Sequence, residues 1–252
     1  MIDEPFAVGR SVIHRIDPRY RVLGAIVYSV ALAVLYGFAP LIAAFFFSAA
    51  LVGAAGLDPR RVFRRLALVN GFVLMFWIFL PLTAGGDILF RIGPVGVHTA
   101  GLHLAAIITL KSNAILMALI SLVSTMSFAT LGHALNRLRF PEKFVFLFLL
   151  TYRYIFVIEQ EYGRIWRAMK IRGFAPSTSI HCYKSYAYLI GMLFIRASAR
   201  ADRVYRAMRC RGFNGRFHTL ADFPPSGLNP WFAALMGFAV TGILLLELFF
   251  HA

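Results

Sequence analysis

The residues in this chain best suited to directional chemistry are arginines, and they come in two matching sets. Arg164-Ile-Trp-Arg-Ala-Met-Lys-Ile-Arg-Gly-Phe174 returns 39 positions later as Arg203-Val-Tyr-Arg-Ala-Met-Arg-Cys-Arg-Gly-Phe213. Seven of these pairs are identical and three more are close exchanges. A guanidinium presents forked N–H donors that match carboxylates and backbone carbonyls. Near a helix C-terminus it also faces the negative end of the dipole, worth about 0.3–1 kcal/mol. That effect explains one copy, but it does not require Arg167/Arg206, Ala168/Ala207 and Met169/Met208 to match a turn upstream. The recurrence points to docking: small Ala and flexible Met let a helix lie in a groove while arginine makes the directional bonds.

Other reactive groups are sparse. Lys111 interrupts an apolar run, and an ionisable group at membrane depth is a functional candidate by default, although it can equally snorkel to the surface. Its expected role is helix packing or an interface with a membrane partner. Asn70 and Glu247 read as satisfied polar contacts or interfacial residues, not transport ligands. His98 and His103 do not share a helical face, and no carboxylate or Cys completes a ligand set, so no metal site is expected. Cys182 and Cys210 form no CxxC or CxxH pair, which argues against a disulfide framework or zinc. Paired catalytic carboxylates, HExxH, a nucleophile elbow and a Walker motif are all missing, so no catalytic residue and no cofactor is expected.

The elements that must position the arginines are mostly membrane helices. The 252 residues are 60% hydrophobic with a mean hydropathy of +0.72, beyond the roughly 45–50% apolar share of soluble domains. A bilayer core of about 30 Å needs roughly 20 apolar residues of helix. Runs at 22–38, 41–57, 66–83, 104–125 and 230–250 give about five spans. The first two are expected to meet in a tight hairpin at Ala39-Pro40, because proline disfavours helix at the residue before it. Asp3 and Glu4 open the chain with no short apolar core behind them, so a cleavable leader is not expected.

Lys/Arg counts in short flanks set orientation. Arg10, Arg15, Arg19 and Arg21 precede the first span, and Arg60, Arg61, Arg64 and Arg65 link the second to the third. The 84–103 loop carries only Arg91. The N-terminus is therefore expected in the cytoplasm and the 84–103 loop outside. Residues 129–216 hold 16 Lys/Arg against 4 Asp/Glu, or +12 of the net +15, which places that block in the reducing cytoplasm.

Within the block, Ser127 is a candidate N-cap for a short amphipathic helix over 128–138. A long helix follows from about 142 to 172, stopped by Gly173 and Pro176. Ser177-Thr178-Ser179 can cap a second, running to Arg211 and stopped by Gly212. Each begins apolar and ends as a cationic tip. The expected architecture is an all-α integral membrane protein in four parts: an arm (1–21), a four-helix membrane part (22–125), a cytoplasmic coupling module of one short and two long crossing helices (126–229), and a last span (230–252).

These residues resemble the T component of energy-coupling factor transporters, whose two Ala-Arg-Gly signatures the tips match. More narrowly, the chain is similar to the Q-type subunit of cobalt and nickel uptake systems. His14-Arg-Ile-Asp-Pro-Arg19, Ala134-Leu135, Pro141, Tyr152-Arg-Tyr-Ile155 and Glu159/Glu161 carry the likeness along the chain. The family alanine is Ile171 in the first copy and Cys210 in the second. The resemblance implies a non-catalytic scaffold in a bacterial or archaeal plasma membrane. Ile171, Arg172, Gly173, Cys210, Arg211 and Gly212 would dock on two ATPase subunits, supported by Arg167, Ala168, Met169, Arg206, Ala207 and Met208. A substrate-binding membrane subunit, with room for a small accessory one, would complete the importer. Metal would bind that subunit and not this chain.

Two alternatives stay open. One is a vitamin-type coupling subunit. The other is a membrane-anchored basic surface for anionic lipid or nucleic acid, disfavoured because Trp166 and Tyr205 recur at matched helical positions and form no stacking platform. The coupling reading asks for two open tips on one side of the bilayer. It fails if they lie apart, sealed against lipid or in opposite compartments.

Overall fold

The computed structural model describes Phe6, Gly9 and residues 11–83, 88–92, 95–214 and 227–251; Arg10, Gly93, Pro94, Gly215 and Arg216 lie outside them. A short 3-10 turn (Ile13–Arg15) leads into α1 (Pro18–Val34), α2 (Phe38–Ala54) and α3 (Pro59–Thr83). Strands β1 (Ile88–Ile92) and β2 (Val95–His98) follow, then α4 (Thr99–Leu122), α5 (Phe128–Arg137), α6 (Glu142–Ile171), α7 (Ile180–Cys210) and α8 (Leu228–His251). By contacts the chain divides into two compact units, Leu135–Ala221 and the remainder, Ile2–Ala134 with Asp222–Ala252.

All five apolar runs fold as helices. Of these α3, α4 and α8 are long and apolar enough to cross a bilayer, whereas α1 and α2 have 17 residues each, the short end of the spanning range. Local chemistry starts them. The Asp17 carboxylate accepts from the Arg19 amide at 2.9 Å ahead of Pro18, and Asp58 does the same for Arg60 at 3.2 Å ahead of Pro59. Proline suits a first helical position because its missing N–H would have no partner there.

The structure corrects three boundaries. Helix α1 ends at Val34 and α2 begins at Phe38, so Pro40 sits inside the first turn of α2, where no amide is needed, instead of making the corner. Arg60, Arg61, Arg64 and Arg65 belong to the first turns of α3, because Asp58 and Pro59 start that helix early. The 84–103 loop holds an antiparallel hairpin pairing Ile88 with His98 and Ile92 with Val95, and α4 begins at Thr99. The run Ile-Leu-Phe-Arg-Ile has the branched and aromatic side chains that strands favour.

In the larger unit α4 is central, packing on α1, α2 and α3, while α8 packs on α1 and α2. Its buried face includes Gly101, Ala105, Ala114 and Ala118, small residues that let apolar helices approach where no water drives them together. A Cβ on Gly101 would stand 2.4 Å from the Leu80 carbonyl oxygen, so only glycine fits there. Tyr28 is fully buried, its hydroxyl donating to the Ala44 carbonyl at 2.7 Å and lying 2.8 Å from Ser48 Oγ.

Candidate functional site

Both tips end in the same hydrogen-bonded cap. In the first, the Gly173 amide donates to Lys170 O at 3.0 Å and the Phe174 amide to Met169 O at 3.1 Å. In the second, Gly212 donates to Arg209 O at 3.0 Å and Phe213 to Met208 O at 3.1 Å. This is the paired closure of a Schellman motif, in which the residue after the cap must turn left-handed. Gly173 has φ +83° and Gly212 φ +81°. Arg172 and Arg211 are therefore the cap residues themselves, held at the last point before the chain reverses.

Exposure repeats as well. The eleven pairs fall in the same class except that Trp166 is half-buried where Tyr205 is exposed. Arg164, Arg167, Ala168, Ile171 and Arg172 are exposed, as are Arg203, Arg206, Ala207, Cys210 and Arg211. Within each copy these positions are spaced so that they share one helical face. Ile171 is 86% exposed, an apolar side chain between Lys170 and Arg172. Met169 and Met208 depart from the expected contact face. They are half-buried, as are Phe174 and Phe213 five residues on.

Helices α6 and α7 pair antiparallel: Phe146 meets Phe213, Glu161 pairs with Arg196, and Trp166 stacks on Tyr186. The first tip is braced by aromatic rings, with Trp166 stacked between Tyr162 at 6.2 Å and Tyr186 at 6.0 Å, and Phe174 edge-on to both Trp166 and Tyr186. Lys170 Nζ lies 5.5 Å from the Trp166 ring, a cation–π distance. Glu161 also bonds Arg164 at 3.1 Å. The hydrogen bond from Arg196, with the charges of Arg196, Arg164 and Arg200, holds the Glu161 carboxyl below the ordinary carboxylate range. Between the helices lies a cavity of about 420 Å³ walled by Leu150, Tyr154, Ile158, Leu193, Ala197 and Met208.

Antiparallel pairing puts the two tips at opposite ends of the pair. Counting 1.5 Å per residue from Phe146 to Arg172 gives a separation of roughly 40 Å. The ends thus lie apart, contrary to the sequence-based requirement, because the short link at 172–179 folds α7 straight back along α6.

The comparisons with known proteins bear on what such a pair belongs to. The family model described as "CbiQ: Cobalt transport protein" matches residues 9–219, most of the chain. The chain belongs to the CbiQ cobalt transport protein family. Among its relatives is a putative fused cobalt transport protein CbiMQ of Methanocorpusculum labreanum, 33% identical over 143 residues, 55% of this chain and 24% of that one. The chain thus spans about a quarter of that fused relative. The energy-coupling factor transporter transmembrane protein EcfT of Streptococcus equi is 27% identical over 218 residues, 82% of this chain and 81% of that one. The cobalt transport protein CbiQ of Rhodobacter capsulatus is 30% identical over 160 residues, 60% and 65% of the two chains.

In this CbiQ-family chain the remaining candidates make local contacts. Lys111 Nζ donates to Ala33 O at 2.9 Å and lies 4.8 Å from the Tyr36 ring. It serves the carbonyl end of α1, where a cation is favoured. Glu247 accepts from the Tyr36 amide at 2.7 Å and the Gly37 amide at 3.0 Å, at the amide end of α2. The two charges hold one corner from opposite sides. Asn70 and Asn113 exchange amide hydrogen bonds at 3.0 and 2.9 Å. His98 Nδ1 lies 3.2 Å from the Pro81 carbonyl and His103 rests 5.4 Å from the Phe38 ring; among the described residues no three His, Cys, Asp or Glu gather. Cys182 is buried and Cys210 exposed, both free. Tyr186 and Arg196 escaped the sequence reading because they act on a tip from the other helix, more than ten residues away in sequence.

Proposed function

We propose that this protein is the coupling subunit of an ATP-driven metal importer, with cobalt or nickel as cargo. Arg172 and Arg211 dock in grooves on two ATPase subunits, and the pair α6–α7 passes their motion to a substrate-binding membrane subunit. The observation that carries this reading is the identity of the two caps: same bonds, same φ, same exposed face. Two copies of one surface suit two copies of one socket. The separation of the tips overturns the sequence-based condition that they lie together, yet it does not count against docking, because the sockets themselves stand apart. A compact subunit of about 250 residues has a radius of gyration near 18 Å, so equivalent grooves on two touching subunits sit tens of ångströms apart. The N-terminus and basic block lie in the cytoplasm, where ATP is. Exposed Phe144, Leu147, Phe194 and Ile195 leave an apolar surface for the membrane partner. Hydrolysis takes place on the ATPases, and this chain contributes no reacting group.

A charge-assisted arginine contact is worth about 1.5–3 kcal/mol. Reversing charge at both tips, Arg172→Glu with Arg211→Glu, is expected to abolish co-purification of the ATPases while the chain still inserts in the membrane. Recovery of both ATPases at wild-type yield would defeat the proposal. A second reading concerns cargo only: the relative named EcfT aligns over 82% of this chain and the cobalt-named Rhodobacter one over 60%, which keeps a vitamin importer in contention. Uptake of radioactive cobalt or nickel by cells carrying the full gene set decides between them.

A further inference from the structure

Arg21 is only 3% exposed. Nη1 donates to Ile13 O at 3.2 Å and Thr125 Oγ1 at 3.0 Å. Nε has no hydrogen-bond partner among the described residues. A buried donor left idle costs free energy, and more so on a charged group. Arg21 lines a cavity of about 560 Å³, together with His14, Arg15, Asp17, Ser127 and Thr130, a volume ordinary for small-ligand sites.

A second, separate feature opens on the same space. Ser127 caps the ten-residue helix α5 and Thr130 lies in its first turn. Ser127 Oγ accepts from the Thr130 amide at 3.2 Å and lies 2.8 Å from the Thr130 hydroxyl. The amide end of a helix favours anions. Among the walls, Asp17 opposes this, but its carboxylate is engaged by Arg19, through the amide at 2.9 Å and Nε at 3.7 Å. His14 is engaged by Ser11 Oγ at 2.7 Å and the Phe6 carbonyl at 3.1 Å. Arg15 and Arg21 therefore leave the cavity net cationic. It sits where α1 begins and just beyond where α4 ends, at the edge of the membrane helices.

We propose that this cavity binds a phosphate group, with Arg21, Arg15 and the Thr130 hydroxyl at the start of α5 as donors. A phospholipid headgroup and free phosphate share that chemistry. The test uses the purified, delipidated full chain in neutral detergent. One arm titrates phosphatidylglycerol in mixed micelles, the other inorganic phosphate, each followed by melting temperature and native mass spectrometry. Saturable binding is expected in at least one arm, and the arm that saturates names the source. Arg15→Gln with Thr130→Val is expected to weaken it tenfold or more, while Arg64→Gln, a cation elsewhere on the same flank, leaves it within tenfold. The proposal is overturned by no saturable binding in either arm, by a double variant within tenfold of wild type, or by an equal loss in Arg64→Gln, which marks diffuse surface charge. Should the double variant fail to fold, Arg15→Gln alone is read against the same tenfold line. The site is independent of tip docking: the double variant keeps both caps and is expected to co-purify with ATPases as wild type does.

Discussion

Gly173 and Gly212 have no atom within 4 Å of where a Cβ would stand, so what an alanine meets there is backbone strain alone. A left-handed alanine costs roughly 1–2 kcal/mol. Gly212→Ala is therefore expected to loosen the last turn of α7 by about 1 kcal/mol, read as faster amide hydrogen exchange at 208–213 with the rest of α7 unchanged. Unaltered exchange there would mean that the cap does not depend on glycine. The caps were legible in the sequence because their chemistry is local: Arg-Gly after a helical run, Ser127 before α5, Ser179 before α7, whose hydroxyl accepts from the Cys182 amide at 3.3 Å. The half-burial of Met208 was not legible, since it depends on the cavity that α6 and α7 enclose together. Lys111 and Glu247 could be flagged from sequence, but the carbonyl and amides they serve lie 78 and 210 residues away.

At the scale of elements, Glu161 ties α6 to α7 through Arg196. Its folded-state carboxyl is held low, so the tie stabilises the pair above the ordinary carboxylate range and is lost as pH falls through the depressed value. Acidification is expected to part the helices near Trp166, seen as a change in its fluorescence. Glu161→Gln should remove that pH dependence. In the membrane part, Gly101→Ala forces α4 away from the Leu80–Pro81 backbone, an overpacking of about 1–3 kcal/mol. A lower melting temperature in detergent is the expected outcome, and an unchanged one would show that α3 yields freely. Helix number and length were legible here from apolar runs alone. Their starts were less so, because Asp-Pro pairs pull α1 and α3 several residues ahead of the greasy stretch, and the β1–β2 hairpin lay in what looked like plain loop.

For the whole molecule, the charge distribution separates the coupling reading from the basic-surface alternative. Binding to nucleic acid or anionic lipid through dispersed cations falls by orders of magnitude between about 50 and 200 mM salt. Docking of a face that also presents Ala168, Ile171, Ala207 and Cys210 should weaken far less. ATPase co-purification across that range is expected to persist, and its collapse would favour the alternative. The sequence repeat announced that two equal ends exist, yet not where they stand, since the separation depends on how the second helix returns along the first.

That return has a mechanical meaning. An antiparallel pair closed by a short link is a strut whose length follows from helix rise, which cannot be compressed without breaking hydrogen bonds. Any machine gripping both ends and drawing its own halves together cannot shorten the strut. It can only pivot or tilt it, turning an approach of two sockets into rotation of the rod between them.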